Sequence, residues 1–370
     1  MRRSLKPTWL FVVISALLFA QLSIAPAHAL HTLNDYLTSK PLANPGFLLI
    51  DPNSDKVISE NQPDQPRVPA SVLKLVSTTA ALKIIGGDKR YITSIWSTAE
   101  QNSFVLRGEF DPWLTSNIYS AKKNKQAYLP TLISQATKSK SIKLYYYGII
   151  DKDIDELKKY LRGHRVKATF VKLDSPAASD KSKDQIASIT SPPLSEIVKF
   201  TLLWSDNTLA DRMARQAALK AGNDTTPEGL TKTFEAVLKE LGVETKDFSV
   251  ADGNGLSKDD RVTPRTLVQL LQKIRHDSVL QPIYEGLPVG GLTGTLKNRF
   301  TDTAPNAVGH VHAKTGWINH SVTMAGFVDD GKTEYIFAIL ADGITPSWKS
   351  RKAARETMDK LLGTIVSENR

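Results

Sequence analysis

Short apolar runs bounded by turn residues mark both ends of the chain as strands, with helical periods between them. Gly46-Phe47-Leu48-Leu49-Ile50-Asp51 reads as a first strand, and Val57-Ile58-Ser59 as its hairpin partner. Residues 71–85 predict a helix, led in by Pro69 and Ala70 and stopped by Gly86-Gly87. Leu73, Leu75 and Val76 alternate there with small residues, so most faces are apolar and the helix is expected inside the domain. From about residue 91 the texture changes. Residues 91–106 read as strands, Lys122-Lys123-Asn124-Lys125 as a solvated turn, residues 144–150 as a strand and 154–161 as a short helix. The polar stretch 175–184 reads as a linker. Residues 91–184 are therefore expected to form an inserted domain, with the main domain built from 30–90 and 185–370. Further helices are expected at 194–203, 209–220, 231–241 and 264–274, and a basic one at 347–366. Residues 308–315 read as a strand, and 322–329 with 334–341 as a hairpin across Asp330-Gly331-Lys332. Strands at both ends with helices between imply an α/β domain closed by pairing its two termini.

The first stretch stands apart from this pattern. Arg2, Arg3 and Lys6 precede an apolar run from Trp9 to about Leu22, and Ala27-His28-Ala29 follows. A basic start, a short apolar middle and an Ala-x-Ala end describe a cleaved secretory signal over residues 1–29. The run is shorter than the roughly 20 apolar residues of a spanning helix. The expected location is therefore periplasmic or extracellular, associated with the cell wall. A net charge of +10 suits a polyanionic envelope or, weakly, an acidic membrane surface that the last basic helix can touch. The charge would also suit nucleic acid, but no aromatic-basic RNA motif or zinc-finger spacing accompanies it, so nucleic acid is not expected as a partner. With no cysteine, disulfides and thiolate metal sites are excluded. His310 and His312 alternate along a strand without a third ligand at a recognisable spacing, so no metal site is expected.

Three short motifs carry the candidate chemistry: Ser71-Val72-Leu73-Lys74, Ser205-Asp206-Asn207 and Lys314-Thr315-Gly316. A serine and a lysine one helical turn apart can make a nucleophile without histidine. Ser-x-x-Lys alone is cheap, with roughly one or two expected by accident in a chain of this size. Ser120-Ala121-Lys122-Lys123 is such an accident, in a lysine-rich solvated stretch. Ser71 differs in opening a predicted helix, so Lys74 falls on the same side, beside free backbone N–H groups and the positive end of the helix dipole. Ser205-Asp206-Asn207 sits between two helices, where a turn and N-cap would also account for it. Lys314-Thr315-Gly316 occurs once, against a chance expectation of about one in ten. It lies on a strand whose glycine lets a substrate approach the backbone. An edge-strand lysine that blunts aggregation is the plainer account of it. Three weak signals in this order, each in a suitable context, outweigh the three plain accounts together.

On these motifs the chain resembles the class C low-molecular-mass penicillin-binding proteins, which are serine D-alanyl-D-alanine carboxypeptidases and endopeptidases. Val68-Pro69-Ala70-Ser71-Val72-Leu73-Lys74-Leu75 resembles the family's nucleophile segment, and Gly108 with Asp111-Pro112 a turn of its inserted region. Residues 193–197, Asp252-Gly253-Asn254-Gly255-Leu256-Ser257 and Arg261-Val262-Thr263-Pro264 are similar to further family segments. So are Leu287-Pro288, Gly294-Thr295-Leu296 and Arg299-Phe300 ahead of the Lys-Thr-Gly. The resemblance covers about 45–85 and 186–345. It implies a penicillin-binding/β-lactamase-like transpeptidase domain, α/β, with an antiparallel sheet flanked by helices, a helical subdomain and a small inserted α/β domain. Two features depart from the family. The stretch between Ser71 and Ser205 is much shorter, and bulky Trp317 follows Gly316 where a small polar residue is usual.

The reaction expected from this set starts with Lys74, held unprotonated by burial and neighbouring cations, taking the proton of Ser71. Ser71 attacks the penultimate D-alanine carbonyl of a peptidoglycan stem peptide. The resemblance implies an oxyanion hole made by the N–H groups of Ser71 and Trp317. Ser205, supported by Lys314, relays a proton to the departing D-alanine, while Asn207 binds a substrate amide and Thr315 the terminal carboxylate beside Gly316. No cofactor is needed. β-Lactams are expected as covalent inhibitors. Two other readings stay open: a wall-binding protein of the same fold that is catalytically weak or inactive, and β-lactam hydrolysis as the main task. The second lacks a glutamate in a recognisable deacylation motif. Carboxypeptidase and endopeptidase action use one site and are not separated by the residues.

Overall fold

Successive residues of the central strands go to opposite cores, which is why those strands are apolar at nearly every position. In the computed structural model, which describes residues 33–367, Gly46–Asp51 pairs antiparallel with Glu334–Ala341, joining the two ends of the chain. Leu48 and Ile50 lie opposite Ala338 and Ile336 and belong to one core, while Phe47 and Leu49 lie opposite Ile339 and Phe337 and belong to the other. A sheet buried on both faces needs this continuous apolar run rather than a polar alternation. The full antiparallel order is Val311–Ile318, Ser321–Asp329, Glu334–Ala341, Gly46–Asp51, Lys56–Asn61. The strand carrying Lys314, Thr315 and Gly316 is thus an edge.

The final helix, Trp348–Ser367, covers one face with Ala354, Met358, Leu361 and Leu362. On the other, Pro264–His276 packs against the central strands, with the helices Lys74–Ile85, Leu194–Trp204, Asn207–Lys220 and Pro227–Glu240 beyond it. Lys74 to Leu82 are buried without a break, as its apolar faces predict. The expected transpeptidase-like architecture is what the chain adopts. Among the described residues no helix is long and apolar enough to cross a membrane. The expected signal segment lies outside the described residues.

A second five-stranded sheet holds the middle of the chain, in the order Lys167–Lys172, Ser141–Tyr147, Ser103–Arg107, Ile92–Ser97, Gln185–Thr190. Three local expectations are corrected here. The lysine-rich stretch 122–125 is not a free turn: residues up to Asn124 close the helix Ile118–Asn124, whose first N–H groups are capped by the Asn117 side chain. The expected linker contains the helix Ser175–Lys181, N-capped by Asp174, with Ala178 buried against Val105 and Tyr145. The main domain does not resume near Ile186, because Gln185–Thr190 pairs with Ile92–Ser97 and belongs to the second sheet.

One largely covered cation ties this second sheet's region to the helices. Arg212, on Asn207–Lys220, donates to the carbonyls of Pro112 and Leu114 at 3.1 and 2.8 Å, and to the carboxylate of Asp153 at 2.8 Å. The helix that begins at Asn207 is therefore held by residues 112–153 as well as by its own packing.

Candidate active site

The nucleophile segment is held by backbone contacts rather than by its own side chains. The Asp342 carboxylate accepts from the Val68 N–H at 3.1 Å and from Arg67 at 2.9 Å. Ser321 and Thr323, on the strand next to the edge, donate their hydroxyls to the carbonyls of Val68 and Pro69 at 2.8 and 2.7 Å. Ala70 then adopts φ 48°, a left-handed conformation that costs a side-chain-bearing residue about 1–2 kcal/mol. That turn presents Ser71 at the head of a 3-10 turn, Ala70–Leu73, which runs into the helix from Lys74. The helix predicted from Ser71 thus starts as the tighter form.

Lys74 is fully buried and has three oxygens around its amine: Ser71 Oγ at 2.8 Å, Asn207 Oδ1 at 2.7 Å and the Asn254 carbonyl at 2.6 Å. Two of these, an amide oxygen and a carbonyl, can only accept. A neutral amine has two N–H bonds to give them, which leaves its lone pair for the Ser71 hydroxyl. Burial pushes the Lys74 pKa down to about 7, against the opposing pull of the Asp252 and Asp206 carboxylates. The expected contribution of neighbouring cations therefore needs correction: burial dominates at Lys74, and the charge of Lys74 acts instead on Lys314. Lys314, also fully buried, is driven well below the ordinary lysine range by burial and then by Lys74.

Lys314 donates to Ser205 Oγ at 3.0 Å and to the Thr315 carbonyl at 2.7 Å. Ser205 sits at φ 57° as the C-cap of Leu194–Trp204, and Asp206 caps the next helix by accepting from Leu209 N–H. The short helix–loop–helix thus supplies both the hydroxyl and, one residue after the cap, the Asn207 amide. Gly316 is required by proximity: a Cβ there would lie 2.1 Å from Thr323 Oγ1 and 2.9 Å from the Ser71 nitrogen. Gly255 is required twice over, with φ +83° and a would-be Cβ 1.9 Å from the Ala70 carbonyl. The loop around it is wound on Asp252, whose carboxylate accepts from the N–H groups of Asn254, Gly255 and Ser257.

A cavity of about 470 Å³ is lined by Ser71, Ser205, Asn207, Thr315, Gly316 and Trp317. Lys74 and Lys314 lie beneath it, on Ser71 and Ser205. The structure thus brings all eight candidate positions together. His312 faces elsewhere, with its ring centroid 6.0 Å from that of Tyr284. Sequence reasoning gave no site role to Asn254, which acts through its carbonyl, or to Leu256, Thr295 and Arg299 in the cavity wall, although it noticed their segments, and it missed Arg355 altogether. The Asp252–Ser257 segment was noticed, but a backbone acceptor carries no residue-type signal.

A buried lysine on a serine hydroxyl, a second lysine–serine pair and an edge strand beside both define an active-site-serine acyltransferase of the penicillin-binding class. The sequence model of the D-Ala-D-Ala carboxypeptidase 3 (S13) family matches residues 29–124 and 151–365, and the chain belongs to that family. Carboxypeptidase DacB of Mycolicibacterium smegmatis is 27% identical over 387 residues, spanning 88% of this chain and 82% of that protein. The crystal structure of penicillin binding protein 4 from Haemophilus influenzae superposes with a TM-score of 0.69 at 18% identity, over 89% of this chain and 97% of that one. A penicillin G-acylated predatory endopeptidase from Bdellovibrio bacteriovorus gives 0.63 at 16% identity, over 88% and 92%. At these identities the two structures show a shared fold.

Proposed function

We infer that the protein is a serine-type D-alanyl-D-alanine carboxypeptidase that acts on peptidoglycan stem peptides through an acyl-enzyme on Ser71. The observation that carries this reading is the 2.8 Å contact between Ser71 Oγ and a buried Lys74 whose pKa is about 7. Ser71 attacks the penultimate D-alanine carbonyl and its proton passes to Lys74 Nζ. The developing oxyanion is met by the N–H groups of Ser71 and Trp317, a role supported by the close approach of Gly316 to the Ser71 nitrogen. As the C–N bond breaks, the leaving amine takes the proton that Lys74 received, by way of Ser205, which Lys314 holds at 3.0 Å, and Lys74 is neutral again. Water then attacks the ester and gives a proton to Lys74, and as the acyl C–O bond breaks Lys74 returns that proton to Ser71 Oγ, restoring both residues.

Asn207 spends its oxygen on Lys74 and has its amide nitrogen for a substrate carbonyl. Thr315 offers a hydroxyl to the terminal carboxylate. β-Lactams follow the same path to the ester and stop there, as the acylated Bdellovibrio neighbour illustrates for its own chain. Cross-link cleavage would use the same atoms. The substrate lies outside the cytoplasm, so residues 1–29 serve export and the net charge of +10 favours an anionic wall. Release of D-alanine from a pentapeptide by the purified protein, lost in Ser71→Ala, tests this reading. A second reading, a weakly active wall-binding protein, is favoured by Trp317 and Trp348, whose ring centroids lie 5.3 Å apart with the planes tilted by 52°. Binding of the pentapeptide with no D-alanine released would select it.

A further inference from the structure

Two arginines end in the wall of the Ser71 cavity, and they differ in what they have for company. Arg299 is buried and committed: its Nε donates to both oxygens of Asp359, at 3.0 and 2.9 Å. Arg355 lies one turn before Asp359 on the final helix and has no carboxylate within ion-pair distance among the described residues. Its guanidinium instead lies 5.2 Å from the ring centroid of Trp317. Trp317 is fixed in turn by Trp348 at 5.3 Å and by Arg351 at 5.3 Å on the ring. Stacking holds a planar guanidinium in one orientation and removes much of the rotamer freedom it would otherwise lose on binding.

An unpaired cation in a half-buried place is costly without an anion. Burial and then the charge of Arg299 weaken its hold on the proton, against the opposing pull of the Asp359 and Glu356 carboxylates, neither of which forms an ion pair with it. Two hydroxyls line the same cavity, those of Thr295 and Thr315, 2.8 Å from each other. A planar fork beside hydroxyl donors matches a carboxylate. Resting on the acyl-enzyme reading above, we propose that Arg355, held by Trp317, is the residue that binds the C-terminal carboxylate of the peptide being cleaved, together with Thr315. Trp317 then has a purpose at a position where a small polar residue was expected: it carries the arginine.

The test compares an acylated lysyl-D-alanyl-D-alanine tripeptide with its C-terminal amide. The wild-type enzyme should prefer the free acid. Arg355→Gln should lower kcat/KM for the acid by about 30-fold, the effect of losing one charge-assisted hydrogen bond, and leave the amide within about 3-fold. Arg355→Lys should restore part of the preference. The backbone carbonyl of Arg355, which accepts from Arg299, persists in both variants, and matching thermal melts would show the helix intact. Equal loss on acid and amide, or an unchanged acid-to-amide ratio, overturns the proposal. Binding of the same free acid to Ser71→Ala protein, with and without Arg355→Gln, answers the question without turnover. Weakening by Arg355→Gln there supports the assignment, and unchanged affinity refutes it, whatever becomes of the catalytic reading.

Discussion

Lys74 and Asn254 meet at 2.6 Å through a side-chain amine and a backbone carbonyl, although they lie on different elements far apart in the chain. The contact decides the protonation chemistry of the site. With the Asn207 oxygen it takes both N–H bonds of a neutral amine and aims the lone pair at Ser71. The loop from Asp252 to Ser257 thereby helps to build the candidate site rather than being a remote turn.

The acylation rate should follow the ionisation of Lys74. Its pKa lies at about 7, far below that of an exposed lysine, so the amine is protonated and inert at pH 5 and neutral at pH 9. The second-order rate of acylation by benzylpenicillin should therefore rise with pH and turn over to a plateau near 7. A rate that is flat from pH 5 to 9 contradicts the assignment of Lys74 as the base.

Gly255→Ala should disturb the site through the backbone alone. The new methyl would sit 1.9 Å from the Ala70 carbonyl at a φ of +83°, so the loop must shift away from the nucleophile turn. We expect a loss of about 1–3 kcal/mol in stability and slower acylation. Denaturant unfolding and penicillin-binding kinetics measure the two effects, and wild-type values in both would show that the loop is not packed as described.

Ser205→Ala should separate the two halves of the reaction. Its hydroxyl, 3.0 Å from Lys314, is assigned to the leaving amine. A β-lactam's amine remains tethered to the adduct, so penicillin labelling should persist in part. D-Alanine release should fall by about 10²–10⁴-fold. Peptide turnover that survives the substitution at the wild-type rate removes Ser205 from the mechanism.

Asp111→Asn should stabilise the protein above neutral pH. Burial raises this carboxyl to about 7 and leaves Oδ2 without a hydrogen-bond partner, while Oδ1 accepts from Trp113 N–H, a bond that asparagine can keep. A raised acid binds more protons folded than unfolded. Its effect on stability is therefore unfavourable as pH rises from about 4 through 7 and complete above that. The variant should gain on the order of 2 kcal/mol at pH 8 and little at pH 4. Chemical denaturation at the two pH values reads this directly, and an equal or negative change at pH 8 counts against it.

Much of this architecture was legible because its signals are local. The strands 46–51 and 334–341 are continuous apolar runs, since both of their faces are buried. The three motifs each lie within four residues, so a chain with no neighbours in view still displays them. The helix Ile118–Asn124 was hidden because none of its residues is buried and its start depends on the Asn117 cap. Ser175–Lys181 buries only Ala178, too little for a periodic pattern. Arg355 was invisible for a different reason: its position beside Trp317 is set by the final helix crossing the sheet end, which no local spacing encodes.

Intact-mass measurement of the purified protein after exposure to benzylpenicillin tests the central claim most directly. A single covalent adduct that maps to Ser71 and is absent from Ser71→Ala is the predicted result. No adduct, or one that persists when Ser71 is alanine, contradicts the account.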